Sequence, residues 1–163
     1  MAEQLWTSGE VAVALGEPRQ NITDTLRRTQ LFRSGESHAR FTLAQAAAMG
    51  VARHLVQNGA DVWGAGLVGR NATFPLEEFA PRYLRLRLLG RTLPPEEAPF
   101  VIALVEGRQE SDGREAVVQA FIRPWAKVSE HPPSSAGVVF IVPLLPILDR
   151  LLAGLPGYEV ANG

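Results

Sequence analysis

The chain has 163 residues, of which 46% are hydrophobic and 20% are charged, a balance typical of a globular protein rather than a disordered one. Its 16 basic and 17 acidic residues leave a net charge of −1, which argues against wholesale binding to polyanions but not against a locally basic face. There is no cysteine, so disulfides, thiolate chemistry and cysteine-based zinc sites are excluded.

Metal, membrane and export signals are missing from the sequence. The three histidines, His38, His54 and His131, are far apart and show no HxxxH or HxH spacing, so we predict no metal and no cofactor. No apolar run approaches the roughly 20 residues that cross a bilayer. The first residues also lack a basic region followed by an apolar run. We therefore expect a cytoplasmic protein that does not associate with membranes.

Two short helices joined by a tight corner are predicted near the start of the chain. Thr7 or Ser8 can cap the first helix, which Gly16 ends because glycine readily takes a positive φ. Pro18 suits the first turn of a second helix that ends near Thr29. This arrangement is the helix-turn-helix plan. The polar residues on or near the outer face of the second helix are Arg19, Gln20, Asn21, Thr23 and Arg27.

A small β-hairpin and a helical hairpin are predicted next. Residues 31–41 form two short extended pieces around a glycine-containing turn. Thr42 can then cap a helix over Leu43–Gln57, and an Asn-Gly corner ends it. Asp61 can cap a further helix over residues 62–70.

The second half of the chain is dominated by strand patterns. Residues 83–88 alternate strictly between apolar and polar, which predicts a strand and leaves an amphipathic helix as the alternative. Two apolar runs, 99–105 and 117–122, flank an Asp-Gly turn signal and should pair as a hairpin. A third strand over 138–142 and a closing helix over 144–152 follow.

These elements predict an α+β protein with two domains. Residues 1–72 would form a winged helix-turn-helix with a helical hairpin. Residues 73–163 would form a small β-sheet unit with a closing helix.

An enzyme is not predicted. The sequence contains no GxSxG elbow, no P-loop and no GxGxxG motif between a strand and a helix. The carboxylate pairs Glu77-Glu78 and Glu96-Glu97 are adjacent in sequence, and such neighbours rarely converge on one reacting bond.

Residues 5–70 carry a series of short motifs in a characteristic order. Trp6-Thr7-Ser8-Gly9-Glu10-Val11-Ala12 is followed by Leu15-Gly16, by Pro18-Arg19-Gln20-Asn21-Ile22, by Leu31 and by Arg40-Phe41-Thr42. In order and spacing these motifs resemble the N-terminal winged helix of the MerR family of bacterial regulators. The chain departs from that family at Thr23-Asp24-Thr25-Leu26, where Arg-Tyr-Tyr-Glu is usual, and it shows no heptad run after Arg70.

The resemblance implies a homodimeric transcriptional regulator that reads double-stranded DNA, a repressor or a phage-like control protein. The second helix would lie in the major groove, with Arg19, Gln20, Asn21 and Thr23 nearest the base edges. Arg27, Arg28 and Arg33 would lie near phosphates, and Ser37, His38 and Arg40 would belong to the wing. The alternative is a winged-helix adaptor that binds another protein and no DNA.

Two roles are left open for the second half of the chain. It could hold two copies together, through the edge of a strand or through the closing helix. It could instead sense a small-molecule or protein effector, in a pocket lined by Phe100, Phe121, Trp125 and Phe140.

Overall fold

The computed structural model describes residues 3–29, 31–32, 40–110, 113–130 and 137–158, and it confirms the α+β class. In the described residues the helices are α1 (Ser8–Leu15), α2 (Arg19–Thr29), α3 (Leu43–Gln57), α4 (Val62–Leu88) and α5 (Leu145–Gly154). The strands are β1 (Trp6–Thr7), β2 (Arg40–Phe41), β3 (Pro99–Glu110), β4 (Gly113–Pro124) and β5 (Gly137–Pro143). No helix in these ranges is both long and apolar enough to cross a membrane.

Three helices begin at the caps that the sequence predicts. Thr7 accepts a hydrogen bond from the backbone of Glu10, whose carboxylate accepts one from the Thr7 backbone in return. Thr42 and Gln45 form the same reciprocal box at the start of α3. Asp61 caps α4 by accepting from the N–H of Gly64, 2.8 Å away. Each cap satisfies backbone donors that the first helical turn leaves unpaired.

Helix α4 is much longer than predicted, and the strand predicted over residues 83–88 is wrong. Val68, Ala72, Leu76, Ala80 and Tyr83 are buried along α4 at helical spacing. This stripe continues the buried face of the first turns, so residues 83–88 prolong a helix that is already anchored. The amphipathic helix that the sequence leaves as the alternative for residues 83–88 is therefore correct, because the preceding stripe outweighs the local alternation.

The predicted domain boundary between residues 72 and 73 falls inside α4. One hydrophobic core extends across that position, because residues of α1, α3, α4, α5 and the sheet belong to the same buried cluster.

A three-stranded antiparallel sheet follows α4, in the order β4-β3-β5. The predicted hairpin between β3 and β4 is confirmed, with Val101 opposite Ile122 and Ala103 opposite Ala120. β5 pairs on the other side of β3, where Val142 lies opposite Val101. These residues belong to the shared core or pack against it, so one face of the sheet covers the helices.

Helix α5 closes the core rather than standing apart from it. Ile147, Leu148, Leu151 and Leu152 are all buried within the chain, where α5 packs against α1 and α3. Its apolar stripe is therefore occupied within the chain and is not free to pair with a second copy.

The end of the described chain holds its beginning in place. The side chains of Gln4 and Trp6 both donate to the carbonyl oxygen of Pro156, at 2.8 and 3.0 Å. The ring of Trp6 also contacts that of Tyr158, with centroids 5.2 Å apart. Strand β1, which leads directly into α1, is thus fixed by residues that follow α5.

Helix α5 is also joined to α4 by a polar contact. Tyr83 Oη donates to Asp149 Oδ1 over 2.6 Å, and Arg87 Nε lies 3.6 Å from the same oxygen. Burial raises the pKa of Tyr83 above its ordinary value, and its hydrogen bond to Asp149 raises it further.

Alkaline titration should report the burial of both tyrosines of the chain. Burial, reinforced by the charge of Glu3, raises the pKa of Tyr158 to about 12, whereas both tyrosines ionise near pH ~10 when unfolded. The folded protein therefore keeps protons that the unfolded chain releases, and the free energy of unfolding should fall as the pH rises from about 10 toward 12. The chain has two tyrosines, so the pH dependence of tyrosinate absorbance in Tyr83→Phe measures the pKa of Tyr158, and in Tyr158→Phe it measures the pKa of Tyr83. An ordinary pKa for either would contradict its burial.

Candidate nucleic-acid interface

The corner between α1 and α2 is built around one glycine. Gly16 adopts φ 70°, and its N–H bonds to carbonyl oxygens of the last turn of α1. The N–H of Glu17 donates to Ala12 O over 2.9 Å, which turns the chain sharply away from α1. Only glycine takes this left-handed conformation without a Cβ clash, so Gly16 sets the angle at which α2 leaves.

Helix α2 buries one stripe and exposes the other. Ile22 and Thr25 are buried, and Leu26 packs partly against the core. On the opposite side Gln20, Thr23 and Arg27 follow each other at spacings of three and four residues. The exposed side chains that share or border this outer face, named here the α2 outer face, are Arg19, Gln20, Thr23, Arg27 and Arg28.

The α2 outer face is only weakly basic. Arg27 Nη2 lies 3.1 Å from Asp24 Oδ1, so one of its three cations is partly neutralised within the helix. The hydroxyl of Thr23 donates to the backbone oxygen of Arg19 over 3.0 Å, which orients the hydroxyl oxygen as an acceptor.

Asn21 lies apart from the other predicted base-contacting residues. It is half-buried, and its Nδ2 donates to Glu17 Oε2 over 3.1 Å. Its side chain is therefore directed toward the corner and α3, not toward the α2 outer face.

Glu17 is the centre of a polar cluster that sequence reasoning missed. Arg53 Nε of α3 lies 3.3 Å from Glu17 Oε2, and the side chains of Arg53 and Glu17 are 19% and 12% exposed. Gln57 Nε2, also on α3, donates to Glu17 Oε1. With Asn21, these contacts connect the corner, the start of α2 and the last turns of α3. No short-range pattern joins residues 17, 53 and 57, so only the fold could identify the cluster.

Arg40, on the short β1–β2 sheet, lies near the first turn of α1. It is exposed and lies opposite Thr7 in the register of that sheet. Hydrogen bonds from Thr7 lower the pKa of Glu10, and the nearby charge of Arg40 lowers it further. The Arg19 side chain passes close to Gly9, so two cations flank the first turn of α1.

The other predicted wing residues, Arg33, Ser37 and His38, lie outside the described residues, as does most of the predicted hairpin over 31–41. The described parts on either side of them are packed together. Leu31 is buried, and the rings of Phe32 and Phe41 lie 5.9 Å apart.

Phe121 and Phe140, two of the four aromatic residues proposed as one sensing pocket, line separate grooves in the described part of the chain. Phe100 contacts Trp125, with ring centroids 5.4 Å apart. Phe121 lines a groove between α4 and β4, whereas Phe140 lines a different groove beside the end of α3. The pocket interpretation is wrong in that form, because Phe121 lies opposite Ile102 and Phe140 lies opposite the adjacent Ala103, so the two rings project from opposite faces of the sheet.

Within the described ranges, no group of three His, Asp or Glu side chains is arranged to hold a metal ion. Comparison with known protein families, with curated proteins and with solved structures finds no match for this chain.

Proposed function

We propose that this protein is a sequence-specific double-stranded DNA-binding transcriptional regulator, a repressor or a phage-like control protein, that reads its site with α2. The observation that carries the proposal is the geometry of the corner: α2 is anchored on its Ile22 and Thr25 side and presents Arg19, Gln20 and Thr23 outward. Two helices joined in this way are the plan of a winged helix-turn-helix, with the β1–β2 pair at the base of the wing. The resemblance of residues 5–70 to MerR regulators supports the same proposal.

The side chains of the α2 outer face suit different parts of a duplex. Arg19 can bond bidentately to guanine and Gln20 to adenine, while Thr23 supplies a hydroxyl or a methyl contact. Arg27 and Arg28, in the last turn of α2, suit phosphates, and Arg40 suits the backbone beside the groove. Asn21 would have to leave Glu17 to reach a base, so we assign it to the corner rather than to the DNA.

A homodimer follows from the small number of cations. One copy offers three cations to phosphates from its described residues, Arg27, Arg28 and Arg40, a modest electrostatic attraction that a second copy would double. We propose that the outer edge of β5 joins the copies. This strand contains no charged residue, and its Val138 and Ile141 are exposed. In an antiparallel pair centred on Phe140, every residue would face an apolar partner.

The proposal is tested by selecting the purified protein against a randomised duplex library at near-physiological salt. Recovery of a two-fold symmetric site is expected, because a homodimer places two copies of α2 in successive major grooves. Recovery of no sequence above the input would overturn it.

Replacing Arg27 and Arg28 together with alanine should weaken binding to all duplexes alike. Each phosphate contact contributes about 0.9 to the slope of log K against log salt, so the slope should flatten by roughly 2 per copy. Titration of the selected duplex and a scrambled duplex over a salt series measures both effects. The matched control is Gln20→Ala, which should cost about 1–3 kcal/mol on the selected site only and leave the salt slope unchanged. Identical behaviour of the two variants would contradict the division between phosphate and base contacts.

A protein-binding adaptor that does not touch DNA is the second candidate. It is favoured by the weak charge of the α2 outer face, where Asp24 partly neutralises Arg27. Such an adaptor would recover no duplex in the selection, and its substitutions at Gln20 and Thr23 would weaken a protein complex instead.

A further inference from the structure

A groove separates α4 from β4, and no residue of the α2 outer face lines it. Its volume is about 760 Å³, within the range of well-formed binding clefts. The α4 wall is formed by Asn71, Phe74, Pro75, Glu78, Phe79 and Arg82. These positions lie three, four, seven, eight and eleven residues after Asn71, so they form one stripe along a single helix face.

The other wall of the groove is a strand edge. Five consecutive residues, 119–123, line it, so both faces of β4 and the backbone between them border the same space. In the described part of the chain β4 pairs with β3 alone, which leaves its outer edge without a neighbouring strand. Such an edge presents a row of backbone N–H and C=O groups that can pair with another extended segment.

The dimensions of the two walls agree with each other. The α4 stripe from Asn71 to Arg82 extends over about 16 Å at the rise of an α-helix. The β4 wall from Gln119 to Arg123 extends over about 13 Å at the rise of a strand. A groove of this length accommodates roughly four or five residues of extended chain.

The chemistry of the groove is that of a partly apolar peptide site. Phe74 is 82% exposed, a large aromatic side chain that the described chain leaves uncovered. Pro75 gives no N–H to the carbonyl oxygen of Asn71, so the helix lacks one hydrogen bond at this wall. Apolar side chains at alternate positions of a bound segment would contact Phe74 and Phe79.

The rim of the groove carries a net positive charge. Arg82 lies 2.9 Å from Glu78, and both side chains are largely exposed. Arg123 lies over the ring of Phe121, 5.8 Å from its centroid, and donates to the backbone oxygen of Ile122. Two guanidinium groups against one carboxylate favour a ligand with an acidic residue.

We propose that this groove binds an extended segment of another protein, added as a strand to the outer edge of β4. The segment has apolar residues at alternate positions and an acidic residue that meets Arg123. Main-chain pairing supplies the affinity, and Phe74, Phe79 and the two arginines supply the sequence preference. This proposal does not depend on DNA binding, since it uses no residue of the α2 outer face.

The test begins with selection of a display library of random short peptides against the full chain. We expect enrichment of sequences that alternate apolar and polar residues and contain Asp or Glu. An enriched peptide is then synthesised in two forms, each N-methylated at one alternate set of backbone amides. In an added strand only one set faces β4, so one form should lose affinity roughly tenfold or more and the other should retain it. Failure to enrich any peptide, or equal tolerance of both methylated forms, would overturn the proposal.

Two substitutions locate the peptide. Phe74→Ser and Arg123→Glu should each weaken binding by roughly tenfold or more, since one removes an aromatic contact and the other repels the acidic residue. Val13→Ser is the matched control, because Val13 is 77% exposed on α1 and does not line the groove. Unchanged affinity in both groove variants would place the peptide elsewhere and overturn the proposal. Sedimentation of the wild-type protein and Phe74→Ser completes the test: a dimer lost only in Phe74→Ser would identify a second copy as the occupant, against the proposal.

Discussion

Glu17→Ala is expected to lower the free energy of unfolding by about 2–3 kcal/mol. Breaking a buried ion pair costs about 3–5 kcal/mol because the remaining charge has no partner, and the partial exposure of Arg53 reduces that penalty. The same change removes the acceptor of Asn21 and Gln57. Chemical denaturation measures the loss. A loss below about 0.5 kcal/mol would show that the cluster is solvated in solution.

Two controls separate the ion pair from a general effect of losing a carboxylate. Glu78→Ala removes a carboxylate paired with Arg82 where both side chains are largely exposed, and it should change stability by less than about 0.5 kcal/mol. Adding Arg53→Met to Glu17→Ala removes the guanidinium that Glu17→Ala leaves buried without a partner, and it should restore part of the lost stability. If the double variant is less stable than Glu17→Ala, the unpaired Arg53 guanidinium is not what destabilises Glu17→Ala.

Gly154→Val is expected to destabilise the protein by about 3 kcal/mol, the cost of severe overpacking. A Cβ at Gly154 would lie 2.6 Å from Ala14 Cα and 2.9 Å from Ala14 Cβ. The obstruction includes the backbone of α1, which cannot rotate away as a side chain can. Helix α5 would have to move off α1, and thermal or chemical unfolding of the variant measures the cost.

The neighbouring residue provides the matched control. Ala153 is exposed on the same helix, so Ala153→Val should remain within about 0.5 kcal/mol of the wild type. Equal losses at residues 153 and 154 would attribute the effect to a β-branched residue at the end of α5, not to its contact with α1.

Both substitutions also connect stability with the proposed function. Glu17 joins the start of α2 to α3, and Gly154 allows α5 to pack against α1. The two helices of the corner are thus each supported by a different part of the core. If the proposed function holds, Glu17→Ala should weaken binding to the selected duplex even at temperatures where the variant is fully folded, because it loosens the end of α2 that carries Arg19 and Gln20; a duplex titration under those conditions measures this.

The sequence by itself determined the elements whose signals are local. The caps at Thr7, Thr42 and Asp61, the glycine corner at Gly16 and the β3–β4 hairpin all depend on residues a few positions apart. Such signals act through the backbone of their own turn, so they could be recognised without knowing what packs around them.

Only the tertiary structure decided which surfaces are buried in the core and which are exposed to a partner. The length of α4 depends on a buried stripe facing other helices, and the occupied face of α5 depends on α1 and α3. The Glu17–Arg53–Gln57 cluster and the groove between α4 and β4 join residues that are 36 or more positions apart. The physical reason is that burial and ion pairing depend on proximity in space, and a single sequence fixes that proximity only through the packing of the whole core.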